Sequence, residues 1–210
     1  MAAPVALTAT VPLVLAVNPA VPARSMAEFV AHAKANPGRL NYGSSGSGTI
    51  THLATALLAS QLGLEMQHVP YKGSAPALTD LIGGHVPLMI DPVLESTLGH
   101  VAAGKLKLIG TTGAAPMHLT ASVPVFASAV PGYEFSSAFG LIARGGTPAA
   151  LIRRIRDDFA EVMAQPDVIA RIRAIGQEPI VSTPEEYNAY IVAETRKWEP
   201  IVKATGAKID

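Results

Sequence analysis

The sequence contains no cysteine, which excludes disulfides, thiolate metal sites and a cysteine nucleophile. It leaves the compartment open, because chains exported to an oxidising space also do without thiols. Charge is scarce: 15% of the 210 residues are charged, with 16 Lys and Arg against 16 Asp and Glu. That balance provides no basic stripe for nucleic acid. Aromatic residues make up 5% of a chain that is 49% apolar, so the core is expected to be built from Ala, Val, Leu and Ile in alternating strands and helices, as in an α/β protein. Long apolar runs are missing too. The run 11–17 is too short to span a bilayer, and no Lys or Arg precedes it, so the chain as written is expected to carry no export signal.

What is present centres on residues 40–51. A strand signal (Leu40, Tyr42) enters Gly43-Ser44-Ser45-Gly46-Ser47-Gly48-Thr49, and an apolar pattern of helical spacing follows from Ile50. Strand, Gly/Ser loop and helix in that order expose backbone N–H groups at the positive end of a helix dipole, which favours an anion. The hydroxyls of Ser44, Ser45, Ser47 and Thr49 add donors without charge. The loop therefore reads as a carboxylate or phosphate cradle, although Gly and Ser also serve as plain turn chemistry. Sharper readings fail on spacing. No Lys stands between Gly48 and Thr49 for a Walker loop, no serine has Gly two places away on both sides, and Gly43, Gly46 and Gly48 miss the dinucleotide pattern.

Around this loop the chain alternates. Residues 5–17 suggest two strand pieces broken at Pro12. Ser25 to Glu28 has the form of a capping box, and Asn36-Pro37-Gly38 ends the helix that follows. Beyond the cradle, Ile50, Leu53, Ala54, Leu57 and Leu58 form a helical stripe with His52 in its first turn; a lone His there more often packs than binds, but it stands close to the loop. A strand at Met66 to Val69 runs into Pro70-Tyr71-Lys72-Gly73-Ser74, where Lys72 either neutralises an anion at a second helix mouth or is a solvated loop residue. Asp91, ending the strand 86–90, is read first as a cap for a helix over 93–103 (Val93, Leu94, Leu98, Val101) and second as a contact at the pocket rim. The alternation predicts a parallel sheet with right-handed crossovers. From Thr111 the rhythm changes, and a passage with Pro116, Pro124 and Pro131 is expected to carry the chain from one lobe to another. Leu151, Ile155, Phe159, Val162 and Met163 then share one helical face, a second capping box stands at Thr183 to Glu186, and Pro200 is expected to kink or end the last helix.

Several stretches together resemble the Bug (TctC-like) solute-binding proteins of tripartite tricarboxylate transport systems. They are Asn18-Pro19 ahead of the capped helix, Asn36-Pro37-Gly38-Arg39-Leu40-Asn41-Tyr42 running into the Gly/Ser loop, His68-Val69-Pro70-Tyr71-Lys72-Gly73-Ser74-Ala75-Pro76, Val130-Pro131-Gly132-Tyr133 and Ser182-Thr183-Pro184-Glu185-Glu186. The resemblance implies a periplasmic-binding-protein-like α/β fold of type II, one lobe complete and one incomplete. Residues 1–18 would belong to the incomplete lobe, 19–115 to the lobe with the ligand loops, and 116–210 to a return segment and the C-terminal part of the incomplete lobe. It implies a periplasmic receptor without covalent chemistry, cofactor or metal, which binds a dicarboxylate, tricarboxylate or acidic amino acid and serves membrane transporter subunits. Ligand contacts would fall on Ser44, Ser45, Gly46, Ser47, Gly48, Thr49, His52, Tyr71, Lys72, Gly73 and Asp91. Ala138 stands where relatives often carry Trp, which would widen the pocket wall.

The resemblance implies that a signal peptide, a strand and a Gly-rich loop come first in the family and that the chain as written starts after them, so the incomplete lobe is expected to expose apolar surface and favour self-association. Two other functions remain in view. One is a non-binding interaction or sensor module, or a decayed paralogue. The other is a hydrolase using a loop serine with His52 and Asp91, against which the elbow spacing speaks.

Overall fold

A single long strand, β1 (Ala2–Val17), opens the computed structural model, which describes residues 2–92, 95–115 and 118–207. The break expected at Pro12 does not occur. Pro12 lies between the register that pairs Ala9 and Thr10 with one strand and the register that pairs Leu13 to Val17 with another, so its missing N–H interrupts neither ladder. The chain folds as two compact units, one of residues 12–136 and 200–210 and one of residues 1–11 and 137–199.

The larger unit holds β2 (Leu40–Ser44), β3 (Met66–Pro70), β4 (Leu88–Pro92) and β5 (Lys107–Thr111), with α1 (Met26–Ala35), α2 (Ile50–Leu62), α3 (Ser74–Gly83) and α4 (Glu95–Ala102) between them. The order across its sheet is β3-β2-β4-β1-β5. The expectation of a wholly parallel sheet is corrected: β2 runs parallel to β3 and β4, but β1 runs antiparallel to β4 and β5 between them. β1 ends beside the start of β4, with Val17 opposite Leu88, and Asn18 is fastened there by its N–H to Pro87 O (2.9 Å) and its Nδ2 to Leu81 O (2.9 Å); β2, parallel to β4, therefore runs back from the edge at which β1 ends. Leu13, Val14, Leu15, Ala16 and Val17 are all buried, as befits a central strand. The core on the α3 side is Ala16, Ala77, Leu81, Val86, Met89 and Leu106.

Of the helix expected over 93–103, Val93 and Leu94 lie outside the described residues, and α4 carries Leu98 and Val101. The passage expected to link two lobes stays in the larger unit up to Ser136; its Pro116 lies outside the described residues. Phe126, Val130, Tyr133 and Phe135 are buried, and Tyr133 meets Phe126 and Phe135 edge-on at 5.0 and 5.1 Å. Ring burial orders this stretch without periodic structure. The Tyr133 hydroxyl also donates to Ala54 O of α2 at 2.8 Å.

The smaller unit pairs the first part of β1 with β6 (Ser136–Arg144) and with β7 (Glu178–Pro179), beside α5 (Ala149–Met163), α6 (Pro166–Ala174) and the first part of α7 (Pro184–Thr205), whose residues from Pro200 onward belong to the larger unit. Pro200 does not end α7, which continues to Thr205. The residue is exposed, so the carbonyl it leaves without a helical donor can be met by water. On α5 the expected apolar stripe is mostly uncovered: Met163 is buried, but Leu151, Ile155 and Val162 are exposed, as are Phe139 and Ile142 of β6.

Tyr133→Phe removes one buried hydrogen bond and is expected to cost about 1 kcal/mol, a fall in Tm of about 2–4 °C for a chain of this size. Thermal melts followed by circular dichroism check this, with Tyr133→Ala expected to fall several-fold further because it also opens a cavity.

Candidate functional site

The register that sets Ser44 opposite Pro70 brings the exits of β2 and β3 side by side, and all the sequence-predicted site residues lie in the larger unit. Two main-chain bonds join the exits: Tyr71 N–H donates to Ser44 O at 3.0 Å and Gly73 N–H to Ser45 O at 3.1 Å. Gly46 and Gly73 have φ of 141° and 108°, values that a side chain rarely adopts. At Gly46 a Cβ would stand 3.4 Å from Tyr71 O, an ordinary contact, so the backbone angle is what calls for glycine there. Both glycines are thus needed for the two loops to meet.

Most of the loop hydroxyls build the loop and do not face outward. Ser44 is fully buried, with its Oγ 2.6 Å from His68 Nε2 and 3.2 Å from Gly46 N and O. Thr51 Oγ1 accepts from Ser45 N–H at 2.9 Å and lies 2.9 and 3.0 Å from the hydroxyls of Ser45 and Thr49. Thr49 Oγ1 donates back to Gly46 O at 2.7 Å, and Gly48 N–H donates to His52 Nδ1 at 3.1 Å. The expectation that Ser44 and Thr49 present donors to an anion is therefore corrected for their side chains.

What remains free sits at two helix mouths. Thr49 makes no side-chain cap on α2, and Gly73, which has no side chain, precedes α3. By contrast, α1 and α7 are capped: Ser25 Oγ accepts from Glu28 N–H at 3.2 Å, and Thr183 and Glu186 bond reciprocally at 2.8 and 3.1 Å. The Glu28 carboxylate reaches Arg24 N–H, one residue before the position the capping box predicts. The first-turn amides of Ile50, Thr51 and His52 on α2 and of Ser74 and Ala75 on α3 thus receive no side-chain cap from the residue that precedes each helix. Ser47 and Lys72 are exposed beside them with no side-chain partner among the described residues. Aligned amides, two dipole ends and one ammonium suit a carboxylate.

Three expected contacts serve other ends. Tyr71 donates its hydroxyl to Asp80 Oδ2 at 2.7 Å; burial, then the Asp80 carboxylate, pushes it up to about 12. His52 is buried and stacks on His68 at 3.7 Å with the rings 4° from parallel. Burial lowers its pKa, and burial followed by the neighbouring His52 takes His68 down to about 4, so both rings are neutral braces behind the loop. Asp91 accepts from Ser74 Oγ at 2.9 Å instead of from a described residue of α4. Its Oδ2 is buried without a partner, and burial, opposed by Ser74, raises it to about 6. Ser44, His52 and Asp91 consequently form no nucleophile relay. Sequence reasoning missed Thr51, His68 and Ser74; only the parallel register, which sets Tyr42 beside His68, could have pointed to the second.

Comparisons agree along the whole chain. A family model described as the tripartite tricarboxylate transporter family receptor matches residues 2–207. A protein from the tcbD–tcbE intergenic region of a Pseudomonas species is 35% identical over 201 residues, 95% of this chain and 60% of that protein. The chain thus spans about 60% of the length of that curated relative. A solved structure from R. palustris with adipate superposes with a TM-score of 0.87 at 34% identity, over 98% of this chain and 69% of that one. MatC from Rhodopseudomonas palustris with bound malate gives 0.83 at 25%, over 96% and 69%. The periplasmic binding protein BugD gives 0.83 at 25%, over 99% and 70%. The fold is that of periplasmic binding proteins.

The imidazoles and Asp91 oppose each other in acid. His68 stays neutral in the folded chain down to about 4 but takes a proton near 6.5 when unfolded, so its contribution is present above 6.5 and is lost as pH falls toward 4. Asp91, at about 6 folded against 3.8, contributes below 3.8 and loses that contribution as pH rises through 6. In urea titrations at pH 7 and pH 5, His68→Gln is expected to lose less stability on acidification than the parent chain, and Asp91→Asn to lose more.

Proposed function

The chain belongs to the tripartite tricarboxylate transporter receptor family, and from this premise we propose that it is a solute receptor for a small organic diacid, working in the periplasm and delivering its solute to the membrane subunits of such a transporter. The observation that carries the reading is the pair of uncapped mouths of α2 and α3, drawn together by the two main-chain bonds between their loops with Lys72 beside them. The amides of 50–52, 74 and 75 and the side chains of Ser47 and Lys72 hold one carboxylate. Gly46, Gly48 and Gly73 shape the main chain around it, and Ser44, Ser45, Thr49 and His52 hold that shape from behind. Adipate and malate, bound in two structures of similar fold, support a dicarboxylate as the class; a tricarboxylate or an acidic amino acid offers the same anchor.

Calorimetric titration with adipate, malate, succinate, citrate and glutamate, using hexanediol as the uncharged control, tests this reading. At least one acid is expected to bind saturably and hexanediol not at all. Lys72→Ala should weaken binding by about tenfold or more, the loss of one charge-assisted contact. Silence across the acids from a folded chain would sink the reading.

A second reading rests on the smaller unit. The exposed Leu151, Ile155 and Val162 of α5, with Phe139 and Ile142 of β6, form apolar surface of the kind that another protein copy covers. Light scattering across a hundredfold concentration range is expected to show self-association that Ile155→Glu reduces; a concentration-independent monomer mass rejects it.

A further inference from the structure

Behind the anion loops, α2 borders a second hollow. Ala56, Leu57 and Ala59 of α2, Met66 of β3, and Ile201 and Ala204 of α7 line about 380 Å³ of space, within the range of small-molecule sites. None of the side chains lining it carries a formal charge. Tyr42 lines the same space, and its setting is unusual for a tyrosine. It is 4% exposed, yet its hydroxyl meets no hydrogen-bond partner among the described residues, and burial alone pushes it up to about 12. The oxygen itself is not sealed in, since the buried unpaired side-chain atoms among the described residues are Asp91 Oδ2, Thr97 Oγ1 and Thr120 Oγ1, and a phenol that borders open space without a protein partner is free to donate to a guest. The ring cannot readily turn to seek one, because it stacks on His68 at 5.1 Å, and that imidazole in turn is held by Ser44 at 2.6 Å.

We propose that this hollow is a second binding site, which takes an uncharged molecule of one ring or a short chain that presents a carbonyl or hydroxyl oxygen to the Tyr42 O–H and its apolar remainder to the Ala, Leu and Met walls. The donor supplies orientation and the walls supply most of the affinity. A charged guest is rejected, since nothing in the lining would compensate its desolvation. The site is separate in chemistry from the anion loops: those offer amides and an ammonium, whereas this one offers only neutral hydroxyls, Tyr42 at its wall and Ser60 at its exposed side, with that of Thr205 already donated to Val202 O.

Acetophenone, toluene and benzoate, titrated separately into the full chain and followed by amide nitrogen–proton correlation spectra, test the proposal. Acetophenone is expected to give saturable shifts confined to 42, 56–60, 66 and 201–205. Toluene should move the same amides about fivefold more weakly, the worth of one ordinary hydrogen bond, and benzoate should leave them unmoved. Tyr42→Phe removes a hydroxyl that has no native partner, so the fold is retained, as its circular dichroism spectrum checks. In that variant acetophenone should bind no better than toluene. Ala204→Leu fills the hollow and is expected to end binding of both, while diacid titrations remain as in the parent chain. The proposal is overturned if acetophenone gives no saturable shift at these positions, if it holds its advantage over toluene in Tyr42→Phe, or if benzoate moves the same amides as strongly.

Discussion

Two backbone hydrogen bonds, from Tyr71 to Ser44 and from Gly73 to Ser45, fix the relation between the loops that follow β2 and β3. They exist because the two strands run parallel with Ser44 opposite Pro70, which delivers both chains to one edge of the sheet at the same height. From that point each chain turns into a helix, and two positive helix ends are left together. Such an arrangement favours something negative near it, and Asp91 already accepts from the hydroxyl of Ser74, the first residue of α3. The geometry is stable because it is built from main-chain bonds and glycine conformations, which do not depend on the guest.

The loop divides its labour in a way that its composition conceals. Hydroxyls are commonly read as recognition groups, yet those of Ser44, Ser45 and Thr49 form an internal net around Thr51 and His68. Recognition falls to main-chain amides, with Ser47 and Lys72 at the margin. A net of neutral groups suits this position, since a charged brace would compete with an anionic guest for the same dipoles. The two imidazoles fit the same logic: held neutral by burial, they support the loop without adding charge to it.

Much of this was legible in the chain itself. The capping boxes, the Gly/Ser turn between Tyr42 and Ile50 and the strand–helix alternation through β5 are local patterns, and local rules located them. The rest depended on distant partners. Nothing near Pro12 signals that its strand changes neighbours there, and nothing near Asn18 shows that its amide reaches α3 or that β1 runs antiparallel to β4. Residues 118–135 lack periodicity, so their ring packing was invisible until Tyr133 was seen against Phe126 and Phe135. The site shows the same limit: glycine positions were readable, but which hydroxyl faces inward depends on a strand register that no spacing states.

The bond from Tyr133 to Ala54 spans 79 positions of sequence, so the helix behind the first cradle is tied to a segment far along the chain. Whatever loosens the packing of residues 126–135 also removes an anchor from α2, and the loop at 44–49 that leads into that helix inherits the change without any contact of its own being altered.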